Sequence, residues 1–242
     1  MRHLLILFVS IYIFTGCAVQ KPDVPKYNVK KTDKIGYFIK SNDKMLHTHV
    51  GTTVFNNFEK KYPKQLDKKL VENLLKENIG VELVDLSKFK YEDIKNLIVA
   101  KDKNWMITDE ELYSKFAKEL NLKAILLVEE TRTVAQAGMY FYEAKSSGLL
   151  TSSLLGMHRY FAISGFDYSL YLLNPIGEVK IDNVQKFKII YDPMLSRYQE
   201  ESGFKKIKSF KKISKEELSI LEKNTIKLTK ENISKINDYL SK

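Results

Sequence analysis

The chain has 242 residues, 44% of them apolar, a formal charge of +10 and a single cysteine. That apolar share is too high for a disordered chain, and one cysteine excludes a disulfide scaffold. The charge does not signal nucleic-acid binding: only Arg2, Arg132, Arg159 and Arg197 are arginines among forty basic residues, whereas phosphate recognition favours the arginine fork.

The first residues read MRHLLILFVSIYIFTGC. Arg2 supplies a short positive region, and Leu4 to Phe14 form an apolar run of eleven residues. A spanning helix needs roughly 20 apolar residues, whereas an export signal uses about 7–15. Residues 1–16 therefore read as a removable signal peptide. The ending Phe14-Thr15-Gly16-Cys17 resembles the lipobox of bacterial lipoproteins. The resemblance implies that Cys17, which has no cysteine to pair with, becomes a lipid-modified N-terminus carrying three acyl chains. Two or more chains give stable anchoring. Ala18 in place of Asp implies, in a Gram-negative host, sorting to the outer membrane with the domain facing the periplasm. Residues 17–33, with both early prolines and little apolar periodicity, read as a tether.

A single domain is expected over residues 34–242. Ile35, Tyr37 and Ile39 alternate as a strand. Val54, Phe58 and Tyr62 suggest a short helix ending near Pro63. Leu66, Leu70 and Leu74, with Val71 and Leu75, make a helical stripe, with Gly80 as its C-cap. A strand is expected over 81–85 and a weaker helix over 90–100. Thr108 to Glu111 reads as a capping box opening a helix with Leu112, Phe116 and Leu120. Lys123 to Glu129 is apolar without alternation, as in a central strand covered on both faces.

Phe161 to Tyr191 reads as a long hairpin turning at Asn174-Pro175-Ile176-Gly177. Ser214 to Glu217 is a second capping box, opening a C-terminal helical extension over about 210–242. The expected fold class is α/β, a central mixed sheet with helices packed on its faces. Glu111 to Val128 (ELYSKFAKELNLKAILLV) and Tyr168 to Val179 (YSLYLLNPIGEV) are similar to a group of periplasmic α/β domains. That group includes the curli-secretion lipoprotein and the N-terminal domain of the Tol-system propeller protein; the likeness implies fold, not activity.

Met45 to Phe58 resembles a segment of small uncharacterised Gram-negative lipoproteins. In it His47 and His49 would share a strand face and reach one metal, given a third ligand such as His158 or Glu129. Gly51-Thr52-Thr53 would offer amides to an anion. Alternatively, Thr52 or Thr53 is a helix N-cap and the histidines bond the backbone. Ser164 lacks the glycines of a nucleophile elbow, and the adjacent Glu129 and Glu130 fall on opposite strand faces. No catalytic set and no cofactor motif is legible. Residues 132–160 carry Ala135, Ala137, Met139 and Phe141 in alternation, then the doublets Leu149-Leu150 and Leu154-Leu155. The curli likeness places a membrane-inserting hairpin there; the doublets favour a covering loop or short helix.

The leading expectation is a lipid-anchored, non-catalytic envelope lipoprotein acting through a protein partner in the periplasm. The alternatives are a subunit of an oligomeric outer-membrane export pore, and a metal-binding protein or metal-dependent hydrolase using His47 and His49.

Overall fold

The computed structural model describes residues 22–41, 45–51, 57–61, 68–137, 139–154, 157–182, 184–192 and 214–240. In chain order these form β1 (Lys34–Lys40), β2 (Leu46–Gly51), β3 (Phe58–Lys61), α1 (Lys68–Asn78), β4 (Glu82–Asp85), α2 (Tyr91–Lys95), β5 (Ile98–Lys101) and β6 (Asn104–Ile107). Next come α3 (Glu110–Ser114), continued by a π turn over Lys115–Glu119, and β7 (Leu122–Glu130), β8 (Thr133–Ala137), β9 (Tyr140–Ala144) and β10 (Gly148–Leu154). The chain closes with β11 (Met157–Ile163), β12 (Phe166–Leu173), β13 (Ile176–Lys180), β14 (Phe187–Tyr191) and α4 (Lys215–Leu240).

The class is mixed α/β, as the pattern implies, but two five-stranded mixed sheets stand where one was expected. The lower sheet has the order β13-β12-β7-β1-β4, with β1 parallel to β4 and β7. Strand β7 lacks alternation because both its faces are covered. Ala124, Leu126 and Val128 join Ile35, Tyr37, Ile39 and the α1 residues Val71, Leu74 and Leu75. Ile125 and Leu127 meet Ile94, Leu97 and Phe116 on the opposite side. Each such side chain contributes about 1.5–3 kcal/mol by leaving water.

The upper sheet has the order β14-β11-β10-β2-β3. Strand β11 runs through Ser164 and Gly165 into β12, so the upper sheet sits beyond the carboxyl ends of β1 and β7. Here the Leu149-Leu150 doublet finds its cause. Leu149 packs with Tyr160, Ala162 and Leu221 of α4, while Leu150 packs with Phe161, Ala135 and Tyr142. A strand enclosed on two sides needs apolar residues at consecutive positions, so residues 148–154 form a strand and not the expected loop or helix. Gly148 opens it at φ 141°, where an added Cβ would lie 2.2 Å from the Leu46 carbonyl oxygen. Only glycine fits.

Helix α4 is no extension. Ser214 and Glu217 form the expected capping box, with reciprocal bonds of 2.7 and 3.2 Å. One helix of 26 residues, about 39 Å long, then descends past both sheets. Leu221 packs on the upper sheet, Thr225 and Thr229 bond Gly148 and Ser164 at the junction, and Ile233, Ile236 and Leu240 join the lower core.

Other expectations shift for local reasons. The Phe161–Tyr191 hairpin divides: β12 and β13 pair as expected, but β14 crosses to β11. The helix expected over 90–100 is a single turn followed by the β5–β6 ribbon. Its turn places Asp102 and Lys103 at φ 48° and 65°, left-handed positions of a tight hairpin that the dipeptide does not advertise. Pairing of the Thr108 amide with the Leu97 carbonyl holds Thr108 at the strand end, so Asp109 caps α3 instead, accepting from the Leu112 amide at 2.9 Å. Phe58 lies in strand β3 and not in a helix; Val54, Tyr62, Pro63 and Leu66 lie outside the described residues. Gly80 follows α1 without a left-handed φ. Residues 22–33 are not a free tether, because they lie along the domain. Trp105 Nε1 donates to the Asp23 carbonyl at 3.1 Å, and the Val29 amide donates to Leu240 at 3.1 Å.

Candidate functional site

His47 and His49 do share a face of β2, and both are buried. Thr151 Oγ1 lies 2.7 Å from His47 Nε2 and 2.7 Å from His49 Nδ1, and His49 Nε2 lies 3.1 Å from Ser153 Oγ. Parallel pairing of β2 with β10 sets this ladder, matching Leu149 to His47 and Thr151 to His49. A hydroxyl has one proton, so Thr151 donates to one ring and accepts from the other, coupling their tautomers. No group of three His, Cys, Asp or Glu with metal-holding geometry occurs among the described residues. His158 pairs opposite Ser153 on the next strand, and Glu129 belongs to the lower sheet. Both histidines are buried in the upper sheet and bonded to hydroxyls of β10. Thr52 and Thr53, expected to cap a helix or bind an anion, lie outside the described residues, as does Cys17.

The carboxyl ends of β1 and β7 hold a second cluster, where α/β sheets place ligands. Register sets Lys40 opposite Glu129, and α2 brings Tyr91 and Lys95 above them. Lys95 Nζ lies 3.1 Å and Lys40 Nζ 3.5 Å from the Glu129 carboxylate, with Lys40 3.9 Å above the Tyr91 ring. Beside this cluster opens a cavity of about 270 Å³, lined also by Asp167, Tyr171 and Glu178. Burial alone would raise the Glu129 carboxyl; the Tyr91 hydroxyl, Lys95 and Lys40 outweigh it and hold it below the usual carboxylate range. Burial, then Glu129, pushes Tyr91 up to about 12. The neighbouring Tyr91 hydroxyl, against burial and with Glu129, raises Lys95. Each group thus keeps its neutral-pH form, and none of the three is poised to exchange a proton near pH 7, as a general acid or base must be. Glu130, facing the other way, accepts from Ser146 and from the Ser147 amide at 2.7 Å each, so the two carboxylates are separate as the strand period requires. Sequence reasoning missed Lys40, Tyr91 and Lys95 as a set, since they come from separate elements.

This cluster predicts a pH dependence. A carboxyl held low in the folded state stabilises the fold above its unfolded pKa of about 4.3, and that contribution is lost as pH falls through the folded value. Glu129→Gln is therefore expected to lower the urea midpoint at pH 7, by a margin that narrows at an acid pH below about 4. An equal difference at both pH values would refute the assignment.

The third feature is the β8–β9 hairpin. Ala135, Tyr142 and Ala144 face the upper sheet. The outer face and turn expose Val134 (58%), Met139 (87%) and Phe141 (68%). The alternation of Ala135, Ala137, Met139 and Phe141 does not mark one face. Ala137 pairs with Tyr140, leaving two residues for the turn, so odd positions of β8 share a face with even positions of β9. Ala135 points inward and Phe141 outward. Ser164, expected to lack an elbow, is buried and bonded to Thr229 at 2.8 Å. No protein-family model, curated protein or solved structure matches this chain.

Proposed function

We propose that this chain is a lipid-anchored envelope lipoprotein, acylated at Cys17, that works without catalysis by presenting its β8–β9 hairpin to a protein partner in the periplasm. The observation that carries this reading is where exposed large apolar side chains fall among the described residues. Three of the five are Val134, Met139 and Phe141 on the hairpin; the other two, Val24 and Met106, lie far below, where the chain enters the domain. An apolar patch left on a folded surface marks a contact site. A lipoprotein sorted outward from Ala18 would hold this patch toward the periplasm. The ion pair Arg132–Glu143, at 3.1 Å, supplies a polar rim beside it. The pore alternative is less favoured, because β8 and β9 have five residues each and a membrane strand needs about 9–11.

A photo-reactive residue placed at Phe141 in living cells tests the reading, with exposed Glu110 as control. A discrete protein adduct from position 141 and none from 110 is expected. Equal yields at the two positions would sink it.

A further inference from the structure

We infer that the cavity at the carboxyl end of the lower sheet binds a small protonated amine, held between the Glu178 carboxylate and the Tyr171 hydroxyl. The inference depends neither on the lipid anchor nor on the hairpin.

Strand register puts the floor of this cavity on one face. Tyr171 stands opposite Glu178 and Ser169 opposite Lys180, while on the other side of β12 Asp167 stands opposite Glu129. Positions two apart on a strand share a face, and antiparallel partners share it too. It is the face that α2 covers, because Ile94 packs in one cluster with Leu127 and Tyr171. The cavity volume of about 270 Å³ falls just short of the roughly 300–1,000 Å³ of sites for drug-sized ligands, so the occupant is small.

The charges there select its sign. Glu129, Asp167, Glu178 and Asp182 line the cavity against Lys95 and Lys180. Two of these carboxylates are answered by the protein. Glu129 meets Lys95 and Lys40, the latter shared with Glu92, and Asp167 meets Lys186. Glu178 and Asp182 have no ion-pair partner among the described residues, and only Lys180 stands near them in the lining. The excess is negative and repels an anion. No three of the acidic groups have metal-holding geometry among the described residues, whereas an ammonium needs no fixed ligand shell.

Tyr171 supplies the second, independent mark of a ligand. Its side chain is 94% buried, yet its hydroxyl has no hydrogen-bond partner among the described residues. Burial, then the nearby Glu178 carboxylate, pushes the hydroxyl pKa up, so it stays protonated and beside Glu178. A buried polar group left without a partner is costly. An ammonium between the two donates to the hydroxyl oxygen and to the carboxylate, the latter a charge-assisted bond of the stronger kind.

Calorimetric titration of the full acylated protein in a non-ionic detergent at pH 7 tests this, with putrescine and glucosamine as probes. Butanediol and glucose serve as their neutral counterparts. Saturable binding of at least one amine is expected, with its neutral counterpart giving none. Glu178→Gln should weaken that binding about ten-fold, the equivalent of one charged hydrogen bond, and Tyr171→Phe by a smaller factor. Circular dichroism checks that both variants stay folded. Failure of both amines to bind, or equal binding of a neutral counterpart, overturns the inference. So does an amine bound equally well by the wild type and by Glu178→Gln.

Discussion

Replacing Cys17 by serine is expected to move the protein from the membrane pellet to the soluble fraction of fractionated cells. The size of the effect follows from acyl-chain arithmetic. One chain of myristoyl length binds a bilayer with a constant of only about 10⁴ M⁻¹, and two or more make release negligible. Near-complete retention should become near-complete release, and an inhibitor of the lipoprotein signal peptidase should leave the wild type as precursor. A serine variant that stays in the pellet through a carbonate wash would remove Cys17 as the anchor.

The second large effect concerns Arg159 and Asp192, buried where β11 meets β14. Arg159 Nε donates to Asp192 Oδ2 at 2.9 Å, and its Nη1 donates to the Tyr142 hydroxyl at 3.3 Å. Burial alone would lower the Arg159 pKa, yet the bonds to Asp192 and Tyr142 outweigh it and hold the group above its ordinary value. Arginine is ionised at any working pH, so the guanidinium keeps its charge when the partner is removed. Asp192→Ala leaves that charge desolvated and is expected to cost about 3–5 kcal/mol, or roughly 10 °C in Tm for a chain of this size. Arg159→Met together with Asp192→Leu should recover most of the loss, because an apolar pair has no charge to strand. Thermal denaturation followed by circular dichroism decides. A loss under about 1 kcal/mol for Asp192→Ala, typical of a surface change, would show that the pair is not needed.

What could be read in advance followed what is local. Strand β1 announced itself through Ile35, Tyr37 and Ile39, and the start of α4 through Ser214 and Glu217, because side-chain period and capping chemistry depend only on near neighbours. Strand β7 was legible too, since continuous apolar residues imply cover on both sides. The same logic holds for Leu149-Leu150, but a doublet also fits helical spacing, and the covering pieces, α4 and the β8–β9 hairpin, are brought in by tertiary packing. The parity of Phe141 depended on the length of one turn. The Lys40, Tyr91, Lys95 and Glu129 cluster depended on strand register and on the placement of α2, neither of which leaves a local trace. His47 and His49 were rightly put on one face, but their shared partner Thr151 stands about a hundred residues away and is brought in by pairing alone.

The long C-terminal helix has a mechanical meaning. It is fastened at several heights: Leu221 against the upper core, Thr229 to Ser164 at the waist, Asn232 to both backbone groups of Gln185, and Leu240 to Val29 at the foot. A rod pinned in this way stops the two storeys from hinging about Ser164 and Gly165. Under the proposed function, force applied by a partner at the hairpin would be delivered as a pull on the lipid anchor, with little slack taken up inside the protein.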